Sequence, residues 1–296
     1  NTTTAKRHQS SKQSNSIPIT LEFPYLALLA SGGHTSILCC YGLGNHTLLG
    51  TTLDDAIGEA FDKGARLLGI HSDGIIGGAA IEKYAKLGNL QTYANKLTVP
   101  MLKQRNCDFS FAGLKNGFRL LVAEVRKSCG IDTAFNNAPS VPNEEVESSK
   151  IVTLPIKETQ DLCATFQFTA FRHLDDRVSR AIGYIHDKKI PIRSLVVVGG
   201  VASNQQLRIV LSEIRDRANK ELEFRKKNTS KWEVYFPPPS LCTDNGVMVA
   251  WTGIELFQAG ISDDLENDLE PLPRWKIGKE LSEHDKKFRK RGSSII

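Results

Sequence analysis

Short apolar runs separated by glycine-rich turns dominate the first part of the chain. Runs at 25–31, 35–41 and 46–50 are each of strand length, and they predict a three-stranded β-meander. A continuous β-branched run at 192–198 predicts a strand that is buried on both faces, as in a parallel sheet. A last short strand is predicted at 233–236. Because these strands alternate with helical patterns, the sequence predicts an α/β protein.

Hydrophobic positions with a period of about 3.6 residues predict six helices. The first follows the meander over 52–69, with Thr52 or Asp54 as its N-cap and Gly69 at its end. The longest presents a regular apolar face made of Leu162, Phe166, Ala170, Leu174 and Val178. The five later helices are predicted at 82–88, 113–127, 156–186, 204–218 and 247–258.

Several segments are rich in polar residues and show no helix or strand pattern. Residues 1–20 have little to bury and are predicted to be a disordered linker. Segment 130–150 is predicted to be an exposed loop, and 219–232 a charged connection. Residues 277–296 are predicted to be a basic tail.

Charge and cysteine usage narrow the class of protein. The 296 residues carry a net charge of +5, which favours a polyanionic partner but is equally what a solvated surface would show. No apolar run approaches the roughly 18 to 20 residues that span a bilayer, so no membrane anchor is expected. The six cysteines lack a CxxC spacing, which favours reduced thiols in a reducing compartment over disulfides or a cysteine zinc site.

The turn Ser31-Gly-Gly-His-Thr35 is the first candidate for binding chemistry. Paired glycines allow a ligand to approach bare backbone amides, and the neighbouring hydroxyl and imidazole groups are polar. A plain hairpin turn would use the same residue types. The turn alone therefore leaves a ligand loop and a simple turn equally open.

Two further glycine pairs precede predicted helices. Gly77-Gly78 leads into the helix with Glu82, an arrangement that suits a bound anion or hydroxyl group, or simply close packing. Gly199-Gly200 ends the buried strand, and the polar Ser203 and Asn204 follow it at the edge where open α/β sheets bind ligands. This pattern is not a dinucleotide fingerprint.

Acidic residues at two places have both structural and functional interpretations. Asp55, Glu59 and Asp62 recur at helical spacing, where a solvated face is the ordinary explanation, and Lys63 can pair with Glu59. Asp244 lies at the entrance to the last helix, as an N-cap or as a metal ligand.

Six motifs taken together resemble the tRNA threonylcarbamoyladenosine transferase family, in its bacterial and organellar branch. They occur in the family's order over residues 26–276. The motifs are Ser31-Gly-Gly-His-Thr35, Asp55-Ala-Ile-Gly-Glu-Ala-Phe-Asp-Lys63, Gly77-Gly78 with Glu82, Phe109-Ser-Phe-Ala-Gly-Leu-Lys115, Gly199-Gly-Val-Ala-Ser-Asn204 and Cys242-Thr-Asp-Asn245.

The resemblance implies an actin-like, Hsp70-like superfold of two RNase H-like α/β lobes with the active site between them. On that basis residues 21–276 are expected to be mostly the second lobe, with helical insertions over 85–190. The family's first phosphate loop and its HxxxH pair of metal ligands have no counterpart in this sequence, whose seven histidines include no pair four apart. The chain is therefore expected to be a C-terminal portion with an incomplete metal site.

The resemblance also implies site residues. Asp244 would bind one divalent metal ion, iron or zinc, together with two histidines expected upstream and absent from this chain. Asp62 and Glu82 suit ribose hydroxyls, and the amides of Gly32 and Gly33 suit phosphate or carbamoyl oxygens. The residues that would hold threonylcarbamoyl-adenylate are Leu29, Ala30, Ser31, Gly32, Gly33, Asp62, Gly78, Glu82, Ser203, Asn204 and Thr243.

The implied reaction transfers a threonylcarbamoyl group from its adenylate to N6 of the adenosine beside the tRNA anticodon. It makes the protein a metal-dependent acyltransferase of tRNA modification, and no residue stands out as its general base. Expected partners are tRNA and either a second copy or an activating protein, in the mitochondrial matrix of a eukaryote or in bacterial cytoplasm. The side chains expected to follow tRNA phosphates are Lys103, Arg105, Lys115, Arg119, Arg126 and those of 286–291.

Two other functions remain open. A small-molecule kinase of the same superfold would also use glycine-rich loops around an ATP-like nucleotide, but it would need the first phosphate loop. An inactive binding or scaffold protein of the tRNA-modifying apparatus would need neither that loop nor the metal. A metalloprotease is not supported, because the chain contains no HExxH motif.

Overall fold

A computed structural model of the chain describes residues 21–70, 75, 77–131, 153–224, 230–262 and 277–281. These residues form a mixed six-stranded sheet in the order β5-β4-β1-β2-β3-β6. The strands are β1 (Tyr25–Ala30), β2 (Thr35–Gly42), β3 (Asn45–Thr51), β4 (Ser194–Val198), β5 (Glu233–Tyr235) and β6 (Lys279–Glu280). The helices are α1 (Ile57–Leu68), α2 (Gly78–Ala85), α3 (Ala112–Ser128), α4 (Ile156–Asp187), α5 (Gln205–Phe224) and α6 (Gly246–Gln258).

The predicted α/β class and the predicted meander are confirmed. β1 pairs antiparallel with β2, and β2 pairs antiparallel with β3. β4 lies parallel to β1 on the other side, and β5 lies parallel to β4. The three strands β1, β4 and β5 therefore point the same way, and their carboxyl ends meet at one edge of the sheet.

The predicted N-cap of the first helix is wrong. α1 begins at Ile57, after Ala56, which makes no side-chain capping bond. Thr52 instead donates its hydroxyl to the Asp55 carbonyl oxygen at 2.6 Å, and Asp54 caps a different helix. The predicted end is confirmed, because Gly69 adopts the left-handed conformation with φ 68° and closes the helix.

Helix α4 forms the centre of the core. All five predicted apolar positions are buried, and so are polar residues on its other faces. Among them, Arg177 is fully buried and donates to the carbonyl oxygens of Met101, Gln104 and Asn106. The segment before α3 thus covers part of the side that the amphipathic pattern leaves to solvent, whereas Phe168 and Arg172 of the same helix stay exposed.

Three element boundaries differ from prediction. α2 begins at Gly78, four residues before the predicted start. α5 continues to Phe224, so the predicted charged connection 219–232 begins as helix. The predicted tail contributes β6, which pairs parallel with β3. The predictions for 1–20, most of 130–150, and 282–296 fall outside the described residues.

Helix α6 has no buried residue, although it is largely apolar. Its exposed side chains include Val247, Val249, Trp251 and Phe257. No helix among the residues that the structure describes is both long and apolar enough to cross a membrane.

Candidate functional site at the carboxyl edge of the sheet

The loop from Ser31 to His34 leaves the carboxyl end of β1. The Ser31 amide donates to the His34 carbonyl oxygen at 2.8 Å, which closes the turn. The Ser31 hydroxyl accepts from the amides of His34 at 3.0 Å and Gly33 at 3.3 Å. Gly32 and Gly33 are exposed, as a ligand loop requires. However, the predicted pair of bare amides is only partly present, since Gly33 already has an acceptor.

The start of α1 holds this loop in place. The buried Thr35 hydroxyl accepts from the Ile57 amide at 2.8 Å, and the Ser31 carbonyl oxygen accepts from the Gly58 amide at 3.1 Å. A Cβ atom on Gly58 would lie 2.7 Å from that same oxygen and 2.8 Å from the backbone of Gly32. Only glycine permits this approach, so the helix start and the loop form one unit.

The glycine pair after β4 packs against the end of β1. Gly199 has φ 97°, and a Cβ atom there would lie 2.3 Å from the Ala30 carbonyl oxygen. A 3-10 turn, Gly200–Ser203, follows, in which the Ser203 hydroxyl donates to the Gly200 carbonyl oxygen at 2.7 Å. Leu29, half-buried at the end of β1, lies beside Val198 of β4. These two loops therefore occupy one edge, as the sequence predicts.

Asn204 is buried, and its side chain makes internal bonds. Its Oδ1 accepts from the Leu207 amide at 3.1 Å, which caps α5, and its Nδ2 donates to Gln167 Oε1 of α4 at 3.0 Å. The prediction that Asn204 holds a ligand is not tested, but in this structure its amide group positions α5.

The carboxylates of Asp62 and Glu82 each bind the start of another helix. Asp62 Oδ1 accepts from the Gly78 amide of α2 at 2.9 Å, and Glu82 Oε1 accepts from the Gln205 amide of α5 at 3.0 Å. Gly77, with φ 61°, turns the chain so closely that a Cβ atom there would lie 2.1 Å from Asp62 Oδ1. The second oxygen of each carboxylate accepts no hydrogen bond from the described residues and is available to a ligand.

Arg208 connects the loop after β5 to the same edge. Its Nε donates to the Ala202 carbonyl oxygen and its Nη2 to that of Pro237, both at 2.8 Å. The guanidinium also stacks on the Phe236 ring, with its carbon 5.0 Å from the ring centre. These contacts bring the segment with Thr243 next to the 3-10 turn.

Asp244 is exposed and is not the N-cap of α6. Asn245 is the cap, accepting from the Met248 amide at 3.1 Å. The carboxylate of Asp244 makes no hydrogen bond or ion pair with the other residues described. Those residues contain no cluster of three or more histidine, cysteine or acidic side chains that could hold a metal ion. One carboxylate is a weak ligand set, so these residues do not by themselves fit a divalent metal.

Two acidic residues before α1 join it to α3. Asp54 accepts from the Phe111 amide at 2.7 Å and from the Ser110 hydroxyl at 2.5 Å, so it caps α3. Asp55 forms ion pairs with Lys115 at 2.6 Å and Lys63 at 2.9 Å. Burial of Asp55 would raise its pKa, but the hydrogen bonds from both lysines outweigh burial and lower it.

The ion pairs that Lys63 and Lys115 form with Asp55 change the predicted basic surface. Lys63 also pairs with Glu59 at 2.7 Å, as predicted, and its bonds to Glu59 and Asp55 raise the pKa of Lys63 to about 12. Lys115, predicted to meet tRNA phosphates, pairs with Asp55, and Arg126 donates to the Leu67 carbonyl oxygen at 3.3 Å. Of the predicted set, Lys103, Arg105 and Arg119 are exposed. Contact of these residues with tRNA stays a prediction.

Three residues that position the site were not predicted from the sequence: Gly58, Gln167 and Arg208. Gly58 is part of the motif that runs from Asp55 to Lys63. A glycine in the first turn of a helix indicates that another part of the backbone approaches the helix closely. Gln167 and Arg208 lie on helices at positions that no local pattern distinguishes, because their partners come from distant segments.

Comparison with known proteins adds an independent observation. The family described as TsaD, tRNA N6-adenosine threonylcarbamoyltransferase, matches residues 8–251. A probable mitochondrial tRNA N6-adenosine threonylcarbamoyltransferase of Arabidopsis thaliana is 38% identical over 273 residues, which cover 88% of this chain and 50% of that protein. The tRNA N6-adenosine threonylcarbamoyltransferase of Rhodospirillum rubrum is 38% identical over 257 residues, which cover 87% of this chain and 59% of that protein. The chain thus spans about half to three fifths of the relatives it matches. It belongs to the tRNA N6-adenosine threonylcarbamoyltransferase family.

Proposed function

We propose that this chain supplies one side of an active site that transfers the threonylcarbamoyl group from threonylcarbamoyl-adenylate to N6 of the adenosine next to a tRNA anticodon. Membership of the family supports the reaction. The observation that carries the proposal is the close packing at the carboxyl edge, which we call the frame. Gly58 of α1 lies against the 31–34 loop, and Gly199 after β4 lies against Ala30 at the end of β1. A frame of this rigidity can hold an adenylate in one orientation.

The groups left available in that frame fit the parts of an adenylate. The second carboxylate oxygens of Asp62 and Glu82 are ionised acceptors that suit ribose hydroxyls. The Gly32 amide suits a phosphate or carbamoyl oxygen, where a fixed donor would stabilise developing negative charge. Ser203, whose hydroxyl donates to the Gly200 carbonyl oxygen, and the exposed Thr243 complete the proposed set. We assign no general base, because no side chain among the described residues stands out for that role.

We also propose that the sheet and its helices are the second lobe of an actin-like fold, with the site facing a first lobe. The exposed apolar α6 supports this, because such a helix needs a covering surface. Asp244 would then contribute one ligand to a divalent metal ion, iron or zinc, whose other ligands come from outside the described residues. When bound, that ion would supply positive charge next to the substrate's carbonyl or carboxylate.

Partners and location follow from the same proposal. The chain would act on tRNA, with a second copy or an activating protein completing the assembly. The name of the Arabidopsis relative supports the mitochondrial matrix as its location in a eukaryote.

The decisive experiment measures threonylcarbamoyladenosine in tRNA by mass spectrometry of nucleosides from each cell compartment, with and without the gene. Loss of the modified nucleoside in one compartment, restored by the wild-type gene but not by a gene encoding Asp62→Asn, supports the proposal. An Asp216→Asn gene, altered at an exposed surface carboxylate, is the matched control and should restore it. Unchanged modification in every compartment would instead favour a scaffold protein.

A further inference from the structure

A cavity lies at the edge of the sheet opposite to the candidate functional site. It has a volume of about 450 Å³ and opens between the last turns of α4 and the second half of α5. Arg193, which lines it, immediately precedes β4, whereas Gly199 of the carboxyl-edge site follows that strand. The five residues of β4 lie between these two positions, which are therefore roughly 20 Å apart. The cavity is therefore distinct from the proposed adenylate site.

The floor of this cavity is apolar and rigid. Trp232, Ile214 and Ile182 line it and are only 3%, 3% and 8% exposed. The backbone of Trp232 is bound to α5 twice: its amide donates to Asn219 Oδ1 at 2.7 Å, and its carbonyl oxygen accepts from Asn219 Nδ2 at 3.0 Å. A floor fixed in this way is formed before any ligand arrives, which lowers the entropic cost of binding.

The walls carry an excess of positive charge. The Arg193 guanidinium lies over the Trp232 ring, with its carbon 5.9 Å from the ring centre. Its Nη1 donates to the Ile192 carbonyl oxygen, which leaves other N–H groups of a five-donor guanidinium for an acceptor. Arg217, paired with Asp175, and Lys220 also line the cavity, whose one acidic lining residue among those described is Glu221.

We propose that this cavity binds a small organic anion with an apolar body, such as a medium-chain or aromatic carboxylate. The apolar body would lie on Trp232 and Ile214, and the carboxylate would accept hydrogen bonds from Arg193. The volume is within the range of small-molecule sites, so the cavity suits a small molecule better than a folded partner. This proposal does not depend on the tRNA-modifying function.

The test uses octanoate and the neutral octan-1-ol, which share an apolar chain but differ in charge. In the full chain with Trp251→Phe and Trp275→Phe, Trp232 is the one remaining tryptophan and reports binding by its fluorescence. We expect a saturable change with octanoate at an affinity roughly tenfold or more above that for octan-1-ol, because a charged hydrogen bond contributes about this much.

Three further variants make the test specific. Arg193→Gln should lower the octanoate affinity roughly tenfold while leaving that for octan-1-ol unchanged. Ala218→Leu, which fills the cavity, should abolish both signals while the urea midpoint shows that the protein remains folded. Arg215→Gln, on a half-buried arginine of α5 that pairs with Asp216 and does not line the cavity, is the control and should bind like the parent. Absence of a saturable signal, or equal affinities for octanoate and octan-1-ol, would overturn the proposal.

Discussion

Two glycines of α1 should respond in opposite ways to the same substitution. Gly58 and Gly64 are both buried in this helix, so replacement by alanine gives each the same intrinsic helix-forming benefit, up to about 1 kcal/mol. Their surroundings differ. A Cβ atom on Gly64 would contact the Phe166 and Phe118 rings at 3.5 and 3.6 Å, which are ordinary packing distances. We therefore expect Gly64→Ala to leave stability unchanged or to raise it by up to about 1 kcal/mol.

At Gly58 the new atom would meet backbone, which cannot rotate away. The Ser31 carbonyl oxygen would be 2.7 Å away and the Gly32 Cα and amide nitrogen 2.8 Å away, whereas ordinary contact begins at 3.4 Å. The loop would have to retreat by about 0.7 Å, which is typical of overpacking that costs about 1–3 kcal/mol. The hydrogen bond from the Gly58 amide to Ser31, at 3.1 Å, would weaken by up to about 1 kcal/mol. The net loss is about 1–3 kcal/mol after the helical benefit is subtracted.

Urea unfolding of the wild type, Gly58→Ala and Gly64→Ala, followed by circular dichroism, measures these differences directly. The two variants should differ by about 2 kcal/mol, with Gly58→Ala the less stable. A Gly58→Ala protein as stable as Gly64→Ala would show that α1 does not hold the 31–34 loop as the structure indicates. The candidate site would then lack the rigid contact between α1 and the 31–34 loop.

Three further predictions concern the residues Asp54, His173 and Gly88, which hold neighbouring elements of the fold together. Asp54→Ala should lower the free energy of unfolding by about 1–2 kcal/mol, because α3 loses its cap, and Ser110→Ala should lower it by less; urea midpoints compare them. Burial lowers the pKa of His173 to about 4, so stability should be constant above pH 6.5 and fall as the pH decreases from 6.5 towards 4, by about 2 kcal/mol between pH 7 and pH 5. His173→Gln should remove that dependence while Oε1 replaces the acceptor for the Ser110 amide, and an unchanged pH profile in this variant would contradict the assignment. Gly88→Ala should destabilise the α2–α4 contact by about 1–3 kcal/mol in the same urea assay, since the added Cβ atom would lie 2.1 Å from the Gln160 carbonyl oxygen.

Most of the secondary structure was predictable because it depends on local patterns. The meander, the strand β4 and the six helices of the described residues were identified from periodicity and turn residues, and Gly69 was correctly placed at the end of α1. The prediction that β4 is buried on both faces was only partly right, since Leu195 and Val197 are buried but the other face is half-buried. The errors arose where a distant segment determines the outcome. Asp54 lies just before α1 but caps α3, which begins more than fifty residues later in the sequence. This is possible because the segment that leads into α3 lies alongside the end of β3, where the Thr51 amide donates to Asp108 Oδ1. No pattern around Asp54 contains that information.

The same distinction applies to the candidate site. Glycine pairs and the polar residues beside them were sufficient to predict which loops converge, since parallel strands end at one edge. They were not sufficient to predict which polar groups remain free there. Asn204, the Gly33 amide and one oxygen each of Asp62 and Glu82 are bound to other parts of the protein.

These internal bonds have a consequence for how the site would work. Four of them join five separate elements: the 31–34 loop to α1, α1 to α2, α2 to α5, and α5 to α4. Each bond involves a residue whose motif also suggests ligand contact, so the residues that build the frame are also proposed ligand contacts. A ligand bound as proposed would meet groups that are already oriented. Among the described residues, the Gly32 amide, the second carboxylate oxygens and Asp244 would then gain a new partner. Because the frame is closed without the ligand, substitutions such as Asp62→Asn should affect the protein's stability as well as its affinity for an adenylate, and both must be measured before either effect is assigned to binding.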